Sequence, residues 1–208
     1  MGNTRLPRMS GARRVVRRAL SFPVVIVTMS ALGACGDANN FLSPAIYDNV
    51  DRQYGVYAIT GSPIGLPAGY QFTTESIVRP QVLGNGTINF DVAFDITTGG
   101  QALVMSARRV VPAPPSAIAP VGFFRPTAVY DQLVRAPDKG FTDDTLATLS
   151  VGESLVIRLT GSSCIYGEPY YAKLTIDSIN VAERRLLVRS LVNRNCGYRS
   201  LSAGIPKD

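Results

Sequence analysis

Apolar and polar residues alternate in short segments from about residue 47 onward, and Gly, Pro and Asn separate these segments. In segment 90–96, Phe, Val, Phe and Ile alternate with Asp, Ala and Asp, and a Thr-Thr-Gly-Gly sequence follows at 97–100. Segment 101–111 then alternates again. Period-2 alternation is typical of half-buried β-strands, and a four-residue turn with glycine suits an antiparallel hairpin. Segments 90–96 and 101–111 are therefore predicted to pair.

Other segments repeat this pattern, and we find no convincing long helix. Further candidate strands are 53–60, 70–78, 154–160, 172–177 and 186–191, and a turn at 180–183 joins the last two in a second predicted hairpin. About eight short strands separated by turns predict an all-β fold, either an antiparallel β-sandwich or a small barrel. Residues 45–208 are predicted to form this single domain.

The segment Val111–Pro126 contains five prolines and is predicted to be a loop that cannot form a central strand or a helix. Its apolar residues Phe123 and Phe124 are candidate contacts for a partner, because an extended apolar loop with few backbone donors can dock on another protein. The alternative is that the loop folds over an open end of the sheet.

Segment 127–135 fits either a helix or an edge strand.

The charge of the chain lies in its first residues. The formal charge is +6, but residues 1–34 hold six arginines and no acidic residue, so 21 basic residues less 6 leaves 15 against 15 acidic ones. The remainder is neutral, and its basic residues are scattered, which argues against nucleic-acid binding. The absence of histidine excludes His-based triads and His metal ligands. No cofactor and no metal site are predicted.

The arginine-rich start leads into an apolar run from Ala19 to Ala34 that ends in the small residues Gly33 and Ala34. A basic region, an apolar region and small residues, in that order, are typical of an export signal. The run of 16 residues is short for a membrane-spanning helix, which needs about 20. Residues 1–34 are therefore predicted to be a signal peptide.

The sequence Leu32-Gly33-Ala34-Cys35 resembles the lipobox of bacterial lipoproteins. The resemblance implies that the chain is cut before Cys35, that this cysteine is lipidated, and that residues 35–44 tether the domain to the membrane through its acyl chains. Gly36 after the cysteine implies the periplasmic face of the outer membrane. The alternative is an ordinary signal peptide cut nearby, which would release a soluble exported domain.

Two cysteines remain after Cys35, an even number for an oxidising compartment. Cys164 and Cys196 are candidates for a disulfide that closes a loop of about 33 residues, a constraint worth roughly 3–4 kcal/mol. Two free buried thiols are the alternative. Both cysteines stand in a Cys-x-Tyr sequence, and tyrosines are enriched at recognition surfaces but also pack well in strands. The tyrosines that are candidate ligand or partner contacts are Tyr166, Tyr170, Tyr171 and Tyr198.

Two sets of carboxylates are candidate chemical sites. Asp91 and Asp95 lie on the same strand face, about 13 Å apart, which is too far for the two carboxylates to share a proton. The favoured interpretation is therefore a solvated face of the strand. Arg108 or Arg109 is a candidate ion-pair partner across the hairpin. The aspartates at 138, 143 and 144 match no calcium-binding pattern.

These observations predict a lipid-anchored envelope protein with a non-catalytic role, either binding a protein or glycan or supporting envelope structure. Two alternatives remain open: a soluble exported glycan-binding domain, and a hydrolase that uses carboxylates alone.

Overall fold

The computed structural model describes residues 42–111, 118–160 and 164–207. These residues form two antiparallel sheets with eleven strands in total, so the all-β prediction is confirmed as a β-sandwich. The larger sheet, in spatial order, consists of β1 (Asp51–Tyr57), β11 (Arg185–Asn193), β10 (Tyr170–Asn180), β9 (Ser154–Leu159), β6 (Val121–Phe124) and β7 (Thr142–Asp143). The smaller consists of β3 (Ser76–Val78), β2 (Gly69–Gln71), β4 (Val92–Ile96), β5 (Ala102–Ser106) and β8 (Leu146–Leu149).

The predicted hairpins are present, with differences at their ends. Strands β4 and β5 pair as expected, with Phe94 opposite Val104. The single strand predicted over 70–78 is instead divided into β2 and β3, because the chain turns back between them and Glu75 N–H bonds to Phe72 O at 3.3 Å. A short helix, α1 (Ala107–Val110), replaces the end of the predicted second strand of the first hairpin.

The prediction that the proline-rich segment has no central strand is wrong at its C-terminal end. Strand β6 lies between β9 and β7 in the larger sheet. Its four residues fit between Pro120 and Pro126, so no proline has to donate a hydrogen bond within the strand. The ambiguous segment after it forms one 3₁₀ turn at Tyr130–Gln132. Residues 112–117 of the predicted loop lie outside the described residues.

The main core lies between the two sheets. Both sheets contribute fully buried side chains, including Phe94 and Tyr70 from the smaller and Leu174 from the larger. The ring of Tyr54 on β1 stacks on that of Tyr70 with centroids 4.6 Å apart. Each fully buried Leu or Phe contributes about 1.5–3 kcal/mol, so this core is the main source of stability.

A second core covers the outer face of the larger sheet. Tyr171 and Leu191 point away from the main core and pack with Tyr130, Leu133 and Leu201. Burial on both faces explains why β10 is buried at every position from Tyr170 to Ile176. The segment between β6 and β7 and the residues after β11 therefore cover the outer face of this sheet.

The two ends of the described chain are joined to each other and to the larger sheet. Asn49 and Gly204 form an antiparallel bridge with both N–H···O distances at 3.0 Å. Strand β1 then pairs with β11 over seven residues, from Asp51 opposite Leu191 to Tyr57 opposite Arg185. In the described part of the chain, no helix has both the length and the apolar character needed to cross a bilayer.

The predicted disulfide between Cys164 and Cys196 is confirmed, with a Cα–Cα distance of 5.7 Å. Cys164 lies before β10 and Cys196 follows β11, so the bond joins the open ends of two strands that the turn at 181–184 already connects. The disulfide therefore closes this hairpin at its second end.

Candidate functional site

An open cleft of about 300 Å³ lies beside Asp91. Its walls come from β2 and the turn after it, from the loop 85–90, and from the residues that lead into β6. A smaller cavity shares Asp91 and Thr73 with the cleft and extends to Tyr170. Small-molecule sites typically have volumes of about 300–1,000 Å³, so the cleft is large enough for a small ligand.

The backbone on both sides fixes the position of Asp91. Its N–H donates to Tyr70 O at 2.9 Å, and its carbonyl accepts from Ala107 N–H at 2.9 Å. The side-chain Oδ2 accepts from the backbone N–H of Phe72 at 2.7 Å. Strand β2, the turn after it and the start of helix α1 therefore hold this carboxylate at the cleft wall.

Burial is the main influence on the acidity of this carboxyl group. Burial raises the pKa of Asp91 to about 6 from an ordinary value of 3.8, and the hydrogen bond from Phe72 opposes this rise. No arginine or lysine of the described residues forms an ion pair with it. At neutral pH the cleft wall thus contains a partly buried carboxylate that has no cationic partner among these residues.

The loop at 82–88 presents two more polar side chains to the cleft. Val82 and Ile88 form an antiparallel bridge, and Leu83 N–H bonds to Thr87 O at 2.7 Å. Within the turn, Thr87 Oγ1 donates to Asn85 Oδ1 at 2.7 Å, which leaves the amide NH₂ of Asn85 available. The loop therefore places a donor group at the edge of the cleft.

The lining of the cleft combines hydrogen-bonding groups with apolar side chains. Amide, hydroxyl and carboxylate side chains are mixed with apolar ones, an arrangement that can orient a ligand and also cover its apolar parts. The polar members are Gln71, Thr73, Asn85, Thr87 and Asp91, and the apolar ones include Ile88, Phe90, Ile118 and Val121.

Asp95, the second carboxylate of the predicted pair, has a structural role instead. It accepts from Thr60 Oγ1 at 2.6 Å and from Arg184 Nη2 at 2.7 Å, and Arg184 also donates to Thr60 O and Ile96 O. The expectation that Asp91 and Asp95 form a solvated face is therefore wrong, because neighbouring segments cover both. Arg108, a suggested partner, pairs with Asp144 instead.

Replacing Arg184 by alanine is expected to lower the free energy of unfolding by about 1 kcal/mol, because Asp95 and two carbonyls lose their shared donor. Urea denaturation would measure the change. Arg185→Ala, whose guanidinium lies beside the Tyr57 ring, is the control and should cost less. Equal losses for the two variants would contradict the structural role of the Arg184 network.

The four predicted tyrosines do not form one recognition cluster. Tyr170 and Tyr171 are buried on opposite faces of β10, and Tyr198 is buried as well. Tyr166 alone of the four is exposed, at 80% of its surface. Tyr170 borders the smaller cavity, but at about 30 Å³ this cavity has room for a water molecule and not for a larger ligand.

The phenylalanines of the proline-rich segment belong to strand β6. Phe123 is buried in the main core, and Phe124 packs partly buried against the second core. Neither presents a free apolar surface in the described structure.

The loop aspartates are each paired with a different arginine: Asp143 with Arg158 at 3.0 Å and Asp138 with Arg199 at 3.5 Å. Within the described ranges, no group of three or more His, Cys, Asp or Glu side chains could hold a metal ion. The lipobox and Cys35 lie outside the described residues, as does most of the predicted tether.

Comparison with protein-family models, curated proteins and solved structures found no significant match to this chain. The function of the cleft must therefore be inferred from its own lining residues and geometry. Sequence reasoning did not identify Gln71, Thr73, Asn85 or Thr87. The Asn-Gly pair at 85–86 could have indicated the turn that carries Asn85 and Thr87, since this pair favours tight hairpin turns.

Proposed function

We propose that this chain is a lipid-anchored protein of the bacterial envelope, held by Cys35 on the periplasmic face of the outer membrane, that binds a short envelope glycan beside Asp91. The lipobox supports the anchor. The observation that carries the binding role is the open cleft lined by Asp91, a carboxylate that has no ion-pair partner among the described residues. The role is binding rather than catalysis.

A glycan suits the chemistry of the cleft better than a purely apolar or an anionic ligand. Sugar hydroxyl groups both donate and accept, so they match the carboxylate of Asp91 and the amides of Gln71 and Asn85. An N-acetyl group would add an amide and a methyl, and the methyl could contact Phe90 or Ile88. The negative charge of Asp91 disfavours an anionic group at the same position.

The carboxylate arrangement supports binding over hydrolysis. Glycosidases commonly use two carboxylates about 5–10 Å apart. Among the described residues, Asp91 is the one carboxylate that lines the cleft and the adjoining cavity. Asp95 is engaged by Arg184, so its charge is already compensated.

Binding is tested with soluble β-1,4-linked N-acetylglucosamine oligomers, followed by calorimetry or by backbone NMR shifts. We expect saturable binding at a single site and a loss of about tenfold in affinity for Asp91→Asn, the size of one charge-assisted hydrogen bond. Glu183→Gln removes an exposed carboxylate in the β10–β11 turn and is the matched control. It should bind like the unmodified chain.

Three results would count against parts of this proposal. Undiminished affinity in Asp91→Asn would place the ligand elsewhere, and no binding at millimolar oligomer would exclude this glycan class. Shortening of the oligomers during incubation, abolished by Asp91→Asn, would favour the hydrolase alternative.

The anchor is tested separately by the intact mass of the chain extracted from membranes. We expect a mature chain that begins at Cys35 and carries added acyl mass, and we expect Cys35→Ala to be recovered without acyl mass. An unmodified chain cut at another residue would favour the soluble exported domain instead.

A further inference from the structure

A compact apolar surface lies where the described chain begins. It consists of four exposed side chains from two distant segments: Ile46, Tyr47, Ile165 and Tyr166, which are 70%, 45%, 89% and 80% exposed. All four line one shallow cavity of about 160 Å³. We call this surface the anchor-side patch.

The first half of the patch is the tip of a constrained turn. Gly167 N–H donates to Cys164 O at 3.1 Å, so Ile165 and Tyr166 occupy the two central positions of the turn. The disulfide from Cys164 to Cys196 fixes the base of this turn. Turn tips in water usually carry polar or small residues, whereas this one presents two large apolar side chains.

The second half of the patch is fixed to the same base. The side-chain oxygen of Asn195 accepts from Ile46 N–H at 2.9 Å and from Tyr47 N–H at 3.0 Å, and its amide donates to Tyr47 O at 2.9 Å. Asn195 is buried and directly precedes Cys196. One short segment therefore orients both halves, so the apolar surface does not depend on flexible side chains meeting by chance.

The tether reaches the domain at this surface. Leu42 packs against Gly197, where an added Cβ would lie 2.5 Å from Leu42 Cδ2. Ser43 and Pro44 line the cavity itself. Cys35 precedes Leu42 by seven residues, which span at most about 25 Å when extended. Acyl chains on Cys35 would thus hold the patch within this distance of the bilayer.

We propose that the anchor-side patch contacts the lipid surface, with Ile165 and Tyr166 in the interfacial region of the bilayer. This inference rests on the proposed lipidation of Cys35. Tyrosine is favoured at the membrane interface because its ring is apolar and its hydroxyl is polar. The tether keeps the local lipid concentration high, so a small apolar contact is sufficient to orient a domain that would not bind membranes by itself.

The charges around the patch indicate apolar rather than electrostatic contact. Arg194 lies over the ring of Tyr47 at 4.6 Å and forms an ion pair with Glu75 at 3.0 Å, while Glu168 also lines the cavity. These three side chains carry one positive and two negative charges, so they supply no net attraction to anionic lipid, and high salt should not reverse the contact.

The chain has no tryptophan, so Tyr166→Trp introduces a single indole at the tip of the turn. Val181→Trp is the matched control: Val181 is 51% exposed in the turn at the other end of β10, about 33 Å along the strand. Each full chain is extracted from membranes, its mass is measured, and it is reconstituted into phosphatidylcholine vesicles with acyl-brominated lipid.

We expect several-fold stronger quenching by brominated lipid for Tyr166→Trp than for Val181→Trp, with a blue-shifted emission that high salt does not reverse. Equal quenching of the two indoles would overturn the lipid contact. A third result would also overturn the lipid contact: no quenching of the indole at position 166 in vesicles, together with its shielding from iodide in native membrane fragments. This result would assign the patch to a protein partner.

The same experiment separates this inference from the anchor. A mass without acyl chains would overturn the proposed lipidation. That chain is then coupled through the Cys35 thiol to a maleimide lipid, and the two indoles are compared as before. Stronger quenching for Tyr166→Trp would then support the lipid-facing patch although the natural anchor is absent, and equal quenching would reject it.

Discussion

Replacing Cys164 and Cys196 together by alanine is expected to lower the free energy of unfolding by about 3–4 kcal/mol. The bond joins residues 32 positions apart, and opening a loop of this size restores the corresponding chain entropy to the unfolded state. Typical single domains are stable by only about 5–15 kcal/mol, so this loss is large. Urea denaturation of both proteins under non-reducing conditions measures it.

Cys35→Ala is the control for this experiment, because it replaces a cysteine that lies outside the described residues. Its unfolding midpoint should equal that of the unmodified chain. A double alanine variant that unfolds at the same urea concentration as the unmodified chain would contradict a stabilising role for the bond.

Asp91→Asn is expected to raise the free energy of unfolding at pH 7 by about 2 kcal/mol. Burial raises the pKa of Asp91 to about 6 in the folded chain, compared with about 3.8 in the unfolded chain. The folded chain therefore binds more protons between these values, and its stability falls as the pH rises from about 4 to 6. Asparagine keeps an oxygen acceptor for Phe72 N–H but carries no charge to desolvate.

The pH dependence identifies the group responsible. For the unmodified chain, the contribution of Asp91 is fully present below pH 4 and is lost above pH 6, so Asp91→Asn should flatten the stability curve in this window. Glu183→Gln should leave the curve unchanged. A parallel curve for Asp91→Asn would show that this carboxyl group has its ordinary pKa. Higher stability combined with weaker glycan binding would show that the charge serves binding at the expense of stability.

The local pattern of residues was sufficient to predict the pairing of β4 with β5 and of β10 with β11. In these hairpins a period-2 segment is followed by a turn sequence and another such segment, so all the information is local. The disulfide was also predictable, since it depends on an even number of cysteines placed just beyond the ends of strands. Strand β6 was missed because it has only four residues and is flanked by prolines.

The cleft depends on contacts that alternation does not encode. The alternation along the strand shows on which face of the sheet Asp91 lies. It does not show whether residues 71–73, 85–90 and 118–121 cover that face. The same reasoning assumed that one face of β10 meets water. The second core buries that face instead, so Tyr171 packs inside the protein.

The connection between the ends of the chain has a mechanical consequence. A pull on the residues before Leu42 first reaches the hydrogen bonds to Asn195, then the bridge between Asn49 and Gly204, and then β1. A pull directed along β1 would load its seven-residue ladder with β11 in shear, so that its bonds would have to yield together rather than one after another. The described domain would thus resist force applied through the residues that precede Leu42.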